Sequence, residues 1–234
     1  MREKAFILAI TISLHGLAPS PAKAQSESYS TIVSAASSSA GSSQTVDGIA
    51  ARIDDDILTE SEVRELGAFQ TLVDGQSKPR AELLRELEDQ WVVRGEATAA
   101  TYPEPSTEDV DRAYSQLEKQ FTSPAEFRQR CEAAGVSEAA VRRMLQQQLY
   151  LSRFLDFRFR PAAQVTDSQI EEYYKTEFAA PLQKRSQPVP ALEDVSDTIR
   201  EVLVQRAISD RATAWLDDTR GRLQIDVLAP EAKP

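Results

Sequence analysis

The sequence predicts a mainly α-helical protein, a multi-helix bundle joined to a small antiparallel sheet. From residue 60 onward, apolar residues recur at intervals of three and four, which is the spacing of one helix face. Short runs with strand-like patterning occur only before that point and after residue 222. Glycine is scarce, with 8 residues in 234, which disfavours architectures with many turns.

The predicted sheet comes from the two ends of the helical region. Ile49–Ile53 and Ile57–Leu58 flank three aspartates at 54–56, a pattern typical of a hairpin with a polar turn. Adjacent aspartates lack the alternating ligands and distal glutamate of a calcium loop, so we expect no metal there. Residues 223–227 alternate apolar and polar side chains. A lone strand leaves its backbone groups unpaired, so we expect this strand to join the hairpin.

Helix starts are indicated by residues that favour N-caps, since Ser and Thr side chains accept a hydrogen bond from the first turn. Apolar stripes at helical spacing follow Thr59 or Ser61, either of which could be the first cap, and follow Ser106, Ser123, Ser137 and Thr166. Gly135 and several prolines indicate the ends. The predicted helices span about 60–73, 79–100, 106–121, 123–135, 137–160, 166–178 and 192–223.

Composition excludes several functions. Lys and Arg total 27 against 37 Asp and Glu, so the net charge is −10 and a nucleic-acid phosphate backbone would be repelled. His15 and Cys131 are the one histidine and the one cysteine. An intramolecular disulfide and a zinc site built on Cys and His are therefore excluded, and we expect no cofactor. Cys131 is expected to be a structural thiol, buried or partly buried.

Residues 1–24 have the pattern of a secretory signal peptide. A basic start precedes an apolar run at 5–14 and a small-x-small cleavage pattern at 22–24. The run is too short to span a bilayer, which needs roughly 20 residues. We expect cleavage, export and no stable membrane insertion of the remaining chain; the alternative is an uncleaved anchor. The segment carries three basic and one acidic residue, so the net charge changes from −10 to −12, and the only histidine is removed.

The rest of the chain divides by composition. Residues 25–45 form a Ser-rich leader that we expect to be disordered, because it offers too little apolar surface to fold. Residues 46–180 are the predicted helical domain, and 181–190 are a proline-containing linker. Residues 191–228 are expected to form a helix and a strand that pack back on that domain, and 229–234 are a tail.

Four segments occur in a characteristic order: VDGIAARIDDDILTESEV, EDVDRAYSQLEKQF, SPAEFRQRCEAAGVSEAAVRRMLQQQL and VTDSQIEEYYKTEF. With the signal peptide, they resemble the SurA family of periplasmic chaperones over residues 46–178 and, more weakly, over 192–227. Many members carry a parvulin-type peptidyl-prolyl isomerase domain before the C-terminal helix. Here only PLQKRSQPVP occupies that interval, which is too short for a catalytic domain.

The resemblance implies an ATP-independent periplasmic chaperone that holds unfolded or outer-membrane-bound polypeptides without catalysis. Two alternatives stay open: a peptidyl-prolyl isomerase of unusual sequence, and an adaptor that docks one envelope partner. We assign no catalytic residue, because adjacent carboxylates on a helix point about 100° apart and do not converge. Candidate client-contacting side chains, each of which also suits a core position, are Leu66, Phe69, Trp91, Tyr114, Tyr173 and Tyr174.

Residues 154–161 alternate aromatic and basic side chains. In a basic protein this pattern would suggest nucleic acid, but the acidic total opposes that interpretation. Arginines near a helix C-terminus are favourable in any case, and they can pair with carboxylates or stack on aromatic rings. We therefore predict a structural role for these arginines.

Overall fold

The computed structural model describes residues 47–229. The strands are β1 (Ile49–Ile53), β2 (Asp56–Thr59) and β3 (Ile225–Val227). The helices are α1 (Glu60–Asp74), α2 (Arg80–Ala99), α3 (Thr107–Glu118), α4 (Pro124–Ala134), α5 (Glu138–Phe159), α6 (Asp167–Tyr173), α7 (Ala180–Lys184) and α8 (Leu192–Arg220). The predicted mainly α fold with a small antiparallel sheet is confirmed. The signal peptide, the Ser-rich leader and all of the tail after residue 229 lie outside the described residues.

The sheet joins both ends of the described chain, with strand order β2-β1-β3 and both pairings antiparallel. Ala51 lies opposite Leu58 on one side and Val227 on the other. Asp54 occupies the turn with φ 50°, and its N–H donates to the carbonyl of Gln224 at 2.9 Å. The N–H of Gln224 donates back to the Asp54 carboxylate at 2.9 Å. The expected pairing of the C-terminal strand with the hairpin is therefore confirmed.

The predicted helix caps are present. Thr59, Ser106 and Thr166 each form a capping box with the residue three positions later. Ser123 and Ser137 each accept a hydrogen bond from the backbone N–H three residues on. These caps satisfy backbone donors that a helix cannot pair internally, so local sequence fixes where α1, α3, α4, α5 and α6 begin.

The sheet packs with α1, α2, α3, α4 and the first half of α5 around one apolar cluster, which we call the sheet core. Phe127 of α4 is fully buried and contacts the rings of Tyr114 and Phe121, with centroids 5.5 and 5.0 Å away. Cys131 is buried in the same cluster, as expected. Other buried members are Ala51, Ile53, Leu58, Val63, Leu66, Phe69, Leu84, Leu117 and Val141.

A second cluster, which we call the helix core, joins α8 to the rest of the protein. Ala212 and Leu216 of α8 are 0% and 5% exposed within it. Trp215 is half-buried against Phe159, with ring centroids 5.8 Å apart. The other buried members are Val92, Val93, Ala97, Leu151, Phe154 and Leu155. The expected packing of the C-terminal helix on the helical domain is thus confirmed.

Two predicted boundaries differ from the structure. The linker was expected to begin at Pro181, but helical structure continues through a π-helical segment, Tyr174–Ala179, into α7. Proline has no N–H to donate to the carbonyl four positions before it, and its ring crowds the preceding turn of an α-helix. The wider π turn accommodates both effects. α8 ends at Arg220 rather than near Leu223, because a turn begins at Gly221 and leads the chain into β3.

Candidate functional site

An open cleft of about 680 Å³ lies where the C-terminal half of α5 meets α8 and the loop after α2. We call it the aromatic cleft. Its lining residues are Tyr102, Ser152, Arg153, Asp156, Phe157, Arg160, Pro161 and Gln205. The cleft thus draws on the 3-10 turn Arg160–Ala162 after α5 as well as on the helices themselves.

The aromatic part of the cleft is built around Tyr102. Its ring lies 5.3 Å from that of Phe157, 5.6 Å from that of Phe154 and 6.0 Å from that of Tyr150, measured between centroids. Phe154 is buried in the helix core, whereas Phe157 is 63% exposed. The cleft therefore has an aromatic wall that is anchored in the core and open to solvent on its other side.

The backbone that positions Tyr102 is strained. α2 ends in a Schellman motif: Tyr102 N–H donates to Ala97 O and Thr101 N–H donates to Thr98 O, each at 2.9 Å. Thr101 holds the left-handed position with φ 53°, where glycine is usual and a β-branched residue is unfavourable. Strained backbone of this kind clusters at functional sites, so the strain at Thr101 makes the loop that carries Tyr102 a candidate functional segment.

Arg160 joins α5 to α8 at one side of the cleft. Its guanidinium donates to Asp156 at 2.7 and 2.8 Å and to Glu201 at 2.7 and 3.0 Å. Gln205 donates to both carboxylates, at 3.2 and 2.9 Å. Hydrogen bonds from Arg160 and Gln205 hold the pKa of Glu201 down at about 2, and Arg160 likewise lowers the pKa of Asp156. At neutral pH the two carboxylates and the guanidinium all stay charged, so together they carry one net negative charge.

Arg153 is the second guanidinium of the cleft, and it is paired as well. Its Nη1 donates to Asp109 Oδ2 at 2.7 Å, and this bond lowers the pKa of Asp109 well below its usual range. Asp109 also completes the cap of α3 by accepting from Ser106 N–H. Ser152 Oγ donates to the carbonyl of Leu149 at 3.2 Å. The polar side chains around the cleft are thus committed to partners within the fold, which suits binding by contact better than proton transfer.

Two of the predicted client-contacting residues are buried. Leu66 and Phe69 are each 3% exposed in the sheet core. In this conformation neither side chain can contact a bound polypeptide. The physical reason is that their spacing places both side chains on the face of α1 that packs against the sheet. The sheet needs an apolar helix against it.

Trp91 and Tyr114 are half-buried and packed against the sheet core. The indole Nε1 of Trp91 donates to Asp56 Oδ2 at 3.0 Å. The ring of Tyr114 packs on Phe127, and the guanidinium of Arg142 lies 4.4 Å from its centroid. Trp91 therefore connects α2 to β2, and Tyr114 connects α3 to α4 and α5.

Tyr173 and Tyr174 are half-buried at the junction of α6 and the π-helical segment. The guanidinium of Arg206 lies 4.8 Å from the Tyr173 ring centroid. Tyr174 stacks on Phe178 at 5.8 Å and donates to the carbonyl of Pro190 at 2.8 Å. None of the six predicted residues lines the aromatic cleft.

Sequence reasoning missed Phe157 and Tyr102, although a signal for Phe157 was present. Leu155 belongs to the predicted apolar stripe of α5, and a residue two positions later lies about 200° around the helix. Phe157 therefore had to face away from that stripe. The arginines of this segment behave as predicted: Arg160 pairs with carboxylates, and the Arg158 guanidinium lies 4.8 Å from the Trp215 ring centroid.

Within residues 47–229, no helix combines the length and apolar character needed to cross a bilayer. Over that same stretch, no group of three or more Asp, Glu, Cys or His side chains is placed to hold a metal ion. A scan against protein-family models and a search of curated proteins both find no match. The resemblance to the SurA family therefore stays a prediction that rests on the four quoted segments.

Proposed function

We propose that this protein is an exported, ATP-independent chaperone that holds unfolded polypeptides, including outer-membrane proteins, at the aromatic cleft. The observation that carries the proposal is the 63% exposed ring of Phe157 beside Tyr102 at the mouth of a cleft of about 680 Å³. Aromatic rings give large contact areas at low entropic cost, so they suit many different apolar segments.

The charges around the cleft support weak and reversible binding. Arg153 and Arg160 are already paired with carboxylates of the fold, so a client gains little by ionic contact. The net charge of −12 that is expected after signal-peptide cleavage keeps a complex with an aggregating client soluble. A protein that binds only the unfolded state lowers the concentration of free aggregating chains without nucleotide.

Aggregation of a denatured β-barrel membrane protein, diluted into buffer without nucleotide and followed by light scattering, tests the proposal. We expect the wild-type protein to suppress scattering and Phe157→Ser to lose most of that suppression. Val73→Ser is the matched control, because Val73 is another exposed apolar residue of a helix, at 38% exposure, away from the cleft lining. Unchanged scattering at several-fold molar excess of wild-type protein would contradict the proposal.

Two further measurements separate the alternatives. Capture of a single envelope protein with tight affinity would favour a dedicated adaptor, because a chaperone binds many partners weakly. Dose-dependent acceleration of a proline-limited refolding reaction, whose uncatalysed phase takes tens of seconds or more, would favour an isomerase. We expect no such acceleration, because ten residues occupy the interval where relatives of the proposed family carry the catalytic domain.

Export is part of the proposal and rests on residues 1–24. Cleavage before Gln25 is the specific expectation. N-terminal sequencing of the protein recovered from the periplasmic fraction of an expressing cell tests it. Recovery of the intact N-terminus in the membrane fraction would support the uncleaved anchor instead.

A further inference from the structure

Five charged side chains meet where the last turns of α8 pack on α2, and we call them the seam cluster. Arg85, Glu88 and Asp89 belong to α2, and Asp217 and Arg220 belong to α8. Glu88 is 8% exposed, and the side chains of Arg220 and Asp89 are 10% and 30% exposed. Charged groups at this depth are costly unless they are well paired.

The pairing in the seam cluster is incomplete. Asp217 Oδ1 accepts from Arg220 Nη2 at 2.5 Å and from Arg85 Nη2 at 3.1 Å. Arg220 Nε lies 3.2 Å from Asp89 Oδ1, but the two atoms form no hydrogen bond. Arg220 Nη1 also has no hydrogen-bond partner among the described residues. Three carboxylates share two guanidiniums, so the fully ionised cluster carries one negative charge in excess.

Burial makes this cluster take up a proton readily. Burial is the main cause that raises the pKa of Asp89 to about 6, with smaller contributions from Glu88 and Asp217, while Arg220 and Arg85 oppose it. Burial also raises the pKa of Glu88.

The sheet and α5 also place polar side chains near the cluster. From the sheet, Asp56 accepts a hydrogen bond from Trp91 Nε1 at 3.0 Å, one turn along α2 from the cluster. From α5, the neutral amide of Gln147 donates to Gln90 at 2.8 Å. The described residues contain no histidine, which would otherwise titrate in the same range.

We propose that the seam cluster is an acid-tightened clasp, in which uptake of one proton fastens α8 to α2 and its loss at neutral pH loosens that end of α8. The cluster lies at the join between α8 and the helical domain, next to Leu216 of the helix core. The proposal does not depend on the chaperone function.

The direction of the pH dependence, with opening favoured at higher pH, follows from proton linkage. The folded state holds the Asp89 proton with a pKa of about 6, whereas the unfolded chain holds it near the ordinary value of 3.8. The folded state therefore binds the proton more tightly, and opening becomes less favourable as pH falls from 7.5 to 5. These two values imply that the opening equilibrium is about tenfold larger at pH 7.5 than at pH 5.

Amide hydrogen exchange of the full-length protein tests the clasp, with rates corrected for the intrinsic effect of pH. We expect amides over residues 212–220 to open about tenfold more at pH 7.5 than at pH 5. Asp89→Asn should remove most of the pH dependence, because the amide does not titrate and only the smaller contribution of Glu88 remains. Asp218→Asn, which alters an exposed acid of the same helix, should keep it.

Equal corrected exchange at both pH values, or an unchanged pH dependence in Asp89→Asn, would overturn the proposal. If Asp89→Asn fails to fold, carboxyl carbon NMR of the wild-type protein labelled at aspartate decides the question. An aspartate resonance that titrates near pH 6 supports the clasp, and titration of every aspartate below pH 4.5 overturns it.

Discussion

The sheet core and the aromatic cleft use the same type of side chain in opposite ways. Phe127 is fully buried and surrounded by Tyr114 and Phe121, whereas Phe157 contacts Tyr102 on one side and is 63% exposed. The first ring stabilises the fold, because it is removed from water on every side. The second leaves most of its apolar surface in solvent, which is the reason for assigning binding to that region.

The two regions also differ in where their charged side chains lie. The buried residues that form the sheet core are all uncharged, whereas Arg153, Asp156 and Arg160 lie in the lining of the cleft. An apolar contact surface bordered by paired charges resists self-association better than a wholly apolar one. Four experiments, one a truncation and the others substitutions, distinguish the two regions, and the first removes the join between them.

Truncation after Pro190 should have the largest effect, because it removes α8 and β3. Ile199, Ile208 and Leu216 are 2%, 5% and 5% exposed, and burial of each contributes about 1.5–3 kcal/mol. Their sum is a large part of the 5–15 kcal/mol that stabilises a typical domain. We expect the remaining chain to unfold without a cooperative transition in near-UV circular dichroism. Cooperative unfolding near the full-length midpoint would show that α8 and β3 are an independent appendage.

The matched pair Phe127→Ala and Phe157→Ala compares the two regions directly. Phe127→Ala should lower the free energy of unfolding by about 3–5 kcal/mol, because it leaves a cavity in a packed core. Phe157→Ala should change it by less than about 0.5 kcal/mol, because it is a surface substitution. Urea unfolding measures both. Similar losses in the two variants would mean that the cleft is part of the core.

Thr101→Gly should stabilise the protein by about 1 kcal/mol, because it removes the strain of a β-branched residue at φ 53°. The hydrogen bonds of the Schellman motif are retained, since they use only backbone atoms. Thermal unfolding measures the shift. As a control, Ser186→Gly places glycine at another positive φ, in the loop between α7 and α8 and away from the cleft lining. A loss of stability in Thr101→Gly would show that the threonine side chain contributes more than its strain costs.

Glu201→Gln should have a small effect that depends on pH. The pKa of Glu201 is lowered to about 2, so its contribution is fully present above the unfolded value of 4.5 and is lost as pH falls toward 2. Because the carboxylate is largely exposed, we expect a loss below about 1 kcal/mol at pH 6. The urea midpoints of variant and wild type should converge toward pH 2. A difference that grows below pH 4 would contradict this assignment.

Much of the fold could be predicted because its signals are local. Caps such as Thr59 and Ser106 satisfy backbone donors within one helical turn, so three or four residues are enough to identify them. The joining of β3 to the hairpin could also be inferred, because both segments needed a partner. The continuation of α6 through the π-helical segment into α7 could not, since proline normally ends a helix and a π turn has no simple sequence signature.

The site was harder to predict because its members come from separate elements. Tyr102 follows α2, Phe157 lies on α5 and Gln205 lies on α8. Only the tertiary packing brings these three residues together. The predicted set favoured aromatic and leucine residues at core spacing. Such spacing indicates burial, so Leu66 and Phe69 were found in the core rather than at a surface.

Site-specific photo-crosslinking shows whether an unfolded client binds at Phe157. A photoreactive phenylalanine analogue is placed at position 157 or, as control, at position 73, and the full-length protein is mixed with an unfolded β-barrel protein under illumination. We predict strong crosslinking from position 157, little from position 73, and loss of the crosslink once the client has folded. Equal crosslinking from both positions, or none from position 157, would contradict the account.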